Sequence, residues 1–394
     1  MEILNLKDTL VPVHSWVPVE ELYGGAMEQI KNVASHPEVG PFLAVMADVH
    51  VGYGVTIGSV VPTTNSVIPN AVGVDIGCGI SAYNTGIQYD RQRMDRDFWR
   101  NFKGKVDRNI PTGTHSHQKE QDLGSLDTKL QASSLQELVG SKGSLQLGTL
   151  GGGNHFLEAA YDNATSNIWL LVHSGSRHIG LRIAGYYHQL AIEESKSRGL
   201  SVGRDLSSLW NGGVYFSSYL EDHNWARRYA AESRKRMLTG LTQCLTGDYP
   251  DFTNNTWIDL SHNYVEEDTF EDEPIMVHRK GATSARLGQL GIIPSSMGTN
   301  TFIVKGLGNP NSLMSCSHGS GRVMGRGEAK RTFTTDQFQQ DISHTFSTPS
   351  EKYIDESPAA YKDPQVVISR QMDLVEIVHT LTPIITMKGG GKDD

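Results

Sequence analysis

Short apolar runs recur along this chain, and most of them end in glycine, histidine or aspartate. FLAVMADVH, beginning at Phe42, predicts a buried strand that delivers Asp48 and His50 to its end. VTIGSVVP and AVGVDIGCG are short and β-branched between glycines, so they read as strands and turns. NIWLLVHSGSR is six mostly apolar residues leading into His173, and WIDLSHNY, PIMVHRKGA and NTFIVKG repeat the theme. Helical spacing occurs elsewhere. Ala26 to Ala34 predicts a helix that stops before Pro37, and residues 90–101 and 125–139 are further candidates. Ile179 to Arg198 predicts an amphipathic helix ending at Gly199, and Tyr219 to Leu238 another, rich in i,i+4 charge pairs. Val366 to Leu381 reads as a last helix, followed by a strand, PIITMK, and a loose tail, GGGKDD.

No Pro/Ser-rich linker, low-complexity stretch or internal repeat divides these elements. The expected architecture is a single large α+β domain over residues 1–388. Its core is strand-rich and β-sandwich-like with flanking helices, and residues 389–394 form a flexible tail. No apolar run reaches the roughly 18 residues of a membrane span, and the N-terminus lacks a secretory pattern. The cysteines, Cys78, Cys244 and Cys316, are odd in number and far apart, which excludes a disulfide framework and fits a reducing, cytoplasmic setting. With no obvious exposed apolar helix, a monomer is the default expectation.

Charge changes the picture little. The 35 basic and 44 acidic residues give −9, which argues against non-specific gripping of nucleic acid, although local patches can still bind phosphate. Glycine changes it more. There are 41, above the usual share of about 7%, clustered at 73–79, 148–153, 306–308, 319–327 and 389–391. Glycine clusters flanked by His, Asp, Cys and Asn fit loops folded around ligands, and equally fit tight turns.

Asp75 and Cys78 in GVDIGCG can point at one ion; alone, the pair reads more readily as a buried thiol beside a turn-capping aspartate. His155 lies between Asn154 and Glu158 in GGGNHFLE, His173 ends a buried strand in HSGSR, and His262 follows WIDL. Three histidines, a cysteine and an aspartate at strand ends together make a transition-metal site the favoured reading. His318 opens a glycine-rich turn followed by Arg322, Arg326 and Lys330 at helical spacing, either a phosphate cradle or a solvated basic helix. His115 and His117 sit in a polar stretch that reads as an exposed loop.

Taken together these segments resemble the RtcB family of RNA-splicing ligases. The matching strings are MADVHVGYG, IGSVVPT, AVGVDIGCG, LGTLGGGNHFLE, HSGSR, HNYV, RKGATSARLGQLGIIPSSMG, CSHGSGRVMGR, AYKD and DLVEIVHTL, with Lys388 beyond them, in family order from residue 46 to 388. The resemblance implies an RNA ligase dependent on GTP and two Mn²⁺ ions, with Asp75, Cys78, His155, His173 and His262 as metal ligands and His318 as the nucleophile. Asn154, Glu158, Ser296, Tyr361 and Lys388 fall at its GMP contacts. Arg177, Lys280, Arg322 and Arg326 match basic positions expected to hold RNA phosphates or the triphosphate. The implied substrates are RNA 3′-phosphate or 2′,3′-cyclic phosphate ends and 5′-hydroxyl ends, in RNA repair or tRNA splicing, with an activating protein as a further partner.

The chain departs from the family pattern where Ala47 replaces Pro, Tyr53 replaces Lys, His178 and Ser295 replace Gly, Ser320 replaces Ala and Gly325 replaces Ser. None removes a ligand or the nucleophile, so the departures bear on substrate preference and point to a divergent repair branch. Two other activities use the same residues. A metal-dependent phosphodiesterase or phosphatase would not need His318, and a non-catalytic RNA-binding protein would leave the ligand set without a purpose.

Overall fold

The computed structural model describes residues 1–22 and 24–389, so all of the expected tail except Gly389 lies outside the described residues. Gly389 itself is buried. Two large sheets organise the chain. The first runs in the order Glu2–Leu4, Val13–Ser15, Leu43–His50, Ile57–Thr63, Glu273–Lys280 and Asn263–Phe270. The second, antiparallel throughout, runs Trp257–Ser261, Gly79–Gln88, Asn167–Ser174, Phe156–Asp162, Val375–Lys388, Thr301–Gly306 and Leu290–Ile293. The second sheet curls until it is nearly closed: Ile258 and Ile292 on its edge strands meet Ile80, Trp169, Ile303 and Leu381 in one cluster.

The alternation that made these segments read as strands decides what they bury. Ala44, Val60 and Val277 of the first sheet pack with Ile293, Phe302, Val304 and Val375 of the second, giving a shared core and the expected α+β, sandwich-like architecture. The helix Ala26–Ala34 covers the other face of the first sheet through Ile30 and Val33 against Leu43, Val45 and Val61. Outside the second sheet, Trp99, Phe102 and Val106 of the helix Arg96–Asn109 pack with Met237, Leu238 and Leu241 of the long helix Phe216–Thr246, over Leu157, Ile168, Leu170 and Val172. Among the described residues no helix is long and apolar enough to cross a membrane.

Several elements differ from expectation. The helix expected over 90–101 forms later, at Arg96–Asn109, where Asp95 accepts hydrogen bonds from the backbone N–H groups of Asp97 and Phe98 and so fixes its start. The expected helix over 125–139 is instead a series of short turns, one of them held by Asp222, whose carboxylate accepts from the N–H groups of Gln131 and Ala132. The largest correction is at Val366 to Leu381. Only Pro364–Ser369 is helical, and Val375–Lys388 is one strand paired on both sides, with Thr301–Gly306 and Phe156–Asp162. The ladder of Val375–Leu381 with Thr301–Gly306, continued by that of Leu381–Lys388 with Phe156–Asp162, outweighs the helical spacing of Val375, Val378 and Leu381.

Candidate active site

Four consecutive strands of the second sheet end at the same level, because Gly79 pairs with both Ser261 and Ser174, and His173 pairs with Phe156. That register brings together Cys78, His155, His173 and His262, each within one residue of those paired positions. Cys78 Sγ lies 3.4 Å from the Nε2 atoms of both His155 and His173. His173 Nε2 is 3.3 Å from His262 Nε2, and His155 Nε2 is 3.1 Å from Asp75 Oδ2. All five residues expected to bind metal therefore converge. Gly175 is required here: a Cβ at that position would collide with the Asp75 carboxylate.

The donor chemistry fits a metal. Burial holds the His173 and His262 imidazoles well below the ordinary histidine value, so both are neutral and can offer a lone pair. Two neutral ring nitrogens facing each other beside a thiol and a carboxylate make a poor hydrogen-bond network. They make a good ligand set for one or two borderline-soft divalent ions.

His318 stands next to this cluster, its ring centroid 4.7 Å from that of His262. Asp48, fully buried at the end of Leu43–His50, accepts from His318 Nδ1 at 2.7 Å and from the backbone N–H groups of His318 and Gly319, both at 3.2 Å. Burial alone would raise the Asp48 carboxyl, but the His318 ring bonded to it holds it below the usual aspartate value. With Nδ1 committed to Asp48 as a donor, Nε2 carries the ring's lone pair. The turn after His318 needs Gly321, which has φ +72° and where a Cβ would strike the Asp48 backbone carbonyl.

A cavity of about 620 Å³ opens beside His318 and His173. Asn154, Glu158, Ser296, Arg322, Tyr361 and Lys388, all expected to bind nucleotide, line it together with Phe156 and Arg326. Glu158 is buried. Thr386 Oγ1 donates to its Oε2 at 2.6 Å, while Oε1 has no hydrogen-bond partner. Burial pushes its carboxyl up to about 7, against the pull of Thr386 and Lys388. Ser296 is tied to Thr299, whose Oγ1 lies 2.9 Å from its own.

On the far wall, Glu356 accepts from Lys388 Nζ at 2.7 Å, Tyr361 Oη at 2.7 Å and Arg326 Nη1 at 2.5 Å. Burial would raise this carboxyl, but Lys388 and Arg326 pull it down to about 2. Arg322 donates to Tyr361 Oη and to the Asp355 carbonyl, and it precedes the helix Arg326–Thr332 instead of lying on it. The expected helical face is therefore shared between a loop and a helix. Lys280 is buried and donates to the carbonyls of Asn70 at 3.0 Å and Tyr53 at 2.5 Å. Arg177 is also buried and donates to the Gly113 carbonyl at 2.8 Å. These two basic residues brace loops around the site. His115 is exposed, as its polar setting implied, whereas His117 is half-buried, its backbone N–H donating to the Leu145 carbonyl at 2.9 Å.

Sequence reasoning placed Asp48 at a strand end but gave it no partner, and it overlooked Glu356 altogether. Asp48 carried a signal, a lone acid inside MADVH; Glu356, in the polar run EKYIDESP, carried none. Two of the departures prove to be coupled. Ser295 and Ser320 both line the cavity, and their hydroxyls lie 2.6 Å apart.

A family profile described as "tRNA-splicing ligase RtcB" matches residues 29–140 and 121–389. The chain belongs to the RtcB family. It is 38% identical to the RNA-splicing ligase RtcB of Escherichia coli strain K12, over 96% of this chain and 97% of that protein. A second RtcB from another E. coli strain, RtcB2, is 28% identical over 93% of this chain and 92% of its own length. The tRNA-splicing ligase RtcB of Aeropyrum pernix is 27% identical over 92% of this chain and 91% of its own. RtcB membership thus spans the two sheets, the five-donor cluster and the cavity alike.

Proposed function

We propose that this protein is an RNA ligase that uses GTP to join a 3′-phosphate end to a 5′-hydroxyl end, with His318 as the nucleophile. The reading rests on one observation above the others. A histidine whose Nδ1 is bonded to a buried carboxylate lines a nucleotide-sized cavity and stands beside a cluster in which Cys78, His155 and His173 each bring a ligand atom within 4.8 Å of the others. The five donors would be Asp75, Cys78, His155, His173 and His262, and two Mn²⁺ ions held there would offset phosphate charge and orient the reacting ends.

The residues of the chain account for the remaining steps. Asp48 fixes the tautomer that leaves the lone pair on His318 Nε2. That nitrogen attacks the GTP α-phosphorus; a P–N bond forms, the P–O bond to the β-phosphate breaks, and pyrophosphate leaves. Glu158, with an unpartnered oxygen in the cavity, is placed to accept from the N1–H and amino group of guanine, while Phe156 and Tyr361 supply aromatic surface. An RNA 3′-phosphate oxygen then displaces His318 from phosphorus, giving a 3′-pyrophosphate-guanosine end. Attack by the 5′-hydroxyl releases GMP and seals the strand. A 2′,3′-cyclic end would first be opened to a 3′-phosphate.

The test is ligation of a 3′-phosphate RNA to a 5′-hydroxyl RNA with GTP and Mn²⁺. Joined product that requires both cofactors is expected; release of phosphate or opening of cyclic ends without joining would favour a hydrolase.

A further inference from the structure

The long helix Phe216–Thr246 lies against the three strands that carry Cys78, His173 and His262, and one of its side chains reaches through to their ends. Arg234 is fully buried. Its Nη1 donates to the Gly77 carbonyl at 2.8 Å and to the Ser174 carbonyl at 3.0 Å. Its Nε and Nη2 donate to the two carboxylate oxygens of Asp259 at 2.7 and 2.8 Å. Gly77 immediately precedes Cys78, Ser174 immediately follows His173, and Asp259 lies three residues before His262 on the adjoining strand. One planar fork therefore ties together the three segments that carry Cys78, His173 and His262.

Stability alone is a poor reason for this arrangement. Desolvating a guanidinium is costly, and a buried ion pair is often no better than well-packed apolar side chains of the same volume. What an arginine adds is geometry: five donors in a rigid plane, which a lysine cannot reproduce. The carbonyls it holds belong to a turn and a strand end, where ladder partners run out. We propose that Arg234 is the positioning residue of the metal centre, its guanidinium fixing the mutual placement of Cys78, His173 and His262. Its hydrogen bonds run to the backbone beside the ligands and to Asp259, as those of the outer partners of metal ligands generally do.

The inference rests on the metal reading of the cluster, and cobalt substitution separates the two. The experiment titrates the purified apoprotein with Co²⁺ and follows the thiolate-to-cobalt charge-transfer band and the ligand-field spectrum. It compares wild type, Arg234→Lys and the charge-neutral pair Arg234→Met/Asp259→Leu, with far-UV circular dichroism as the folding control. Wild type should show the thiolate band. Both variants should keep wild-type dichroism, bind Co²⁺ roughly 10–100-fold more weakly, and show an altered ligand-field spectrum at saturating cobalt. The neutral pair leaves no buried unpaired charge, so it keeps the test valid if the lysine variant folds poorly. Wild-type affinity and spectrum in a folded variant would overturn the role of Arg234 while leaving the metal centre standing. Absence of a thiolate band in the wild type would overturn both.

Discussion

Asp48 and His318 stand 270 positions apart in the chain, yet the carboxylate receives three hydrogen bonds from the histidine and its neighbour. Asp48→Asn keeps the size of the side chain and an oxygen facing the three N–H groups, but removes the negative charge that stabilises the cationic ring formed when His318 Nε2 bonds phosphorus. Transfer of label from α-labelled GTP to the protein should slow by about 10²-fold or more, with GTP affinity little changed. Glu158 gives a pH dependence. Its carboxyl sits at about 7, so it is half protonated there, and only the ionised form offers two acceptors to guanine. As pH falls below 7, GTP affinity should weaken by about tenfold per unit, since binding must first remove the proton. Above 7 it should level off. In Glu158→Gln that slope should vanish while affinity is low at every pH; an unchanged slope would remove Glu158 from the base-reading role. The proposed metal ligands were legible in sequence because Asp75, Cys78, His155 and His173 sit in glycine-bounded motifs and His262 follows an apolar strand. Glu356 was not, because its meaning comes from Lys388, Tyr361 and Arg326 in space.

Between neighbouring elements, pairing decided what local pattern left ambiguous. Ala26–Ala34 formed where its spacing and Pro37 placed it, and the strands ending in His50 and His173 formed as their apolar runs implied. Val375–Lys388 did not form as a helix because two partner strands claim its backbone in succession, and that contest cannot be seen in a window of one strand. The strand also carries Lys388 to the cavity, so weakening it should cost both stability and nucleotide binding. Ile385, 1% exposed, packs under the helices outside the second sheet. Ile385→Ala should destabilise the fold by about 2–5 kcal/mol, read from the urea midpoint. A loss below about 0.5 kcal/mol would mean that this stretch of the strand is not packed as described.

At the level of the whole molecule, the two sheets share one core, and the site draws on residues from Asp48 to Lys388. Nothing in the order of strands separates a metal-binding half from a nucleotide-binding half. Residues 1–388 should therefore unfold in one transition, whereas two resolved transitions would argue for two domains. Metal links to that transition, because an ion bound only by the folded chain stabilises it. Mn²⁺ at a hundred times its dissociation constant should add about 2.7 kcal/mol, which chelation should remove. The same spread of residues makes a single substitution at the centre the sharpest probe. Incubation of wild type and His318→Ala with α-labelled GTP and Mn²⁺, followed by denaturing separation, measures nucleophile and cavity together. Acid-labile, base-stable label on wild type, absent from His318→Ala, is the expected result. Equal label on both proteins, or none on wild type with any divalent metal, would contradict a histidine-linked guanylate.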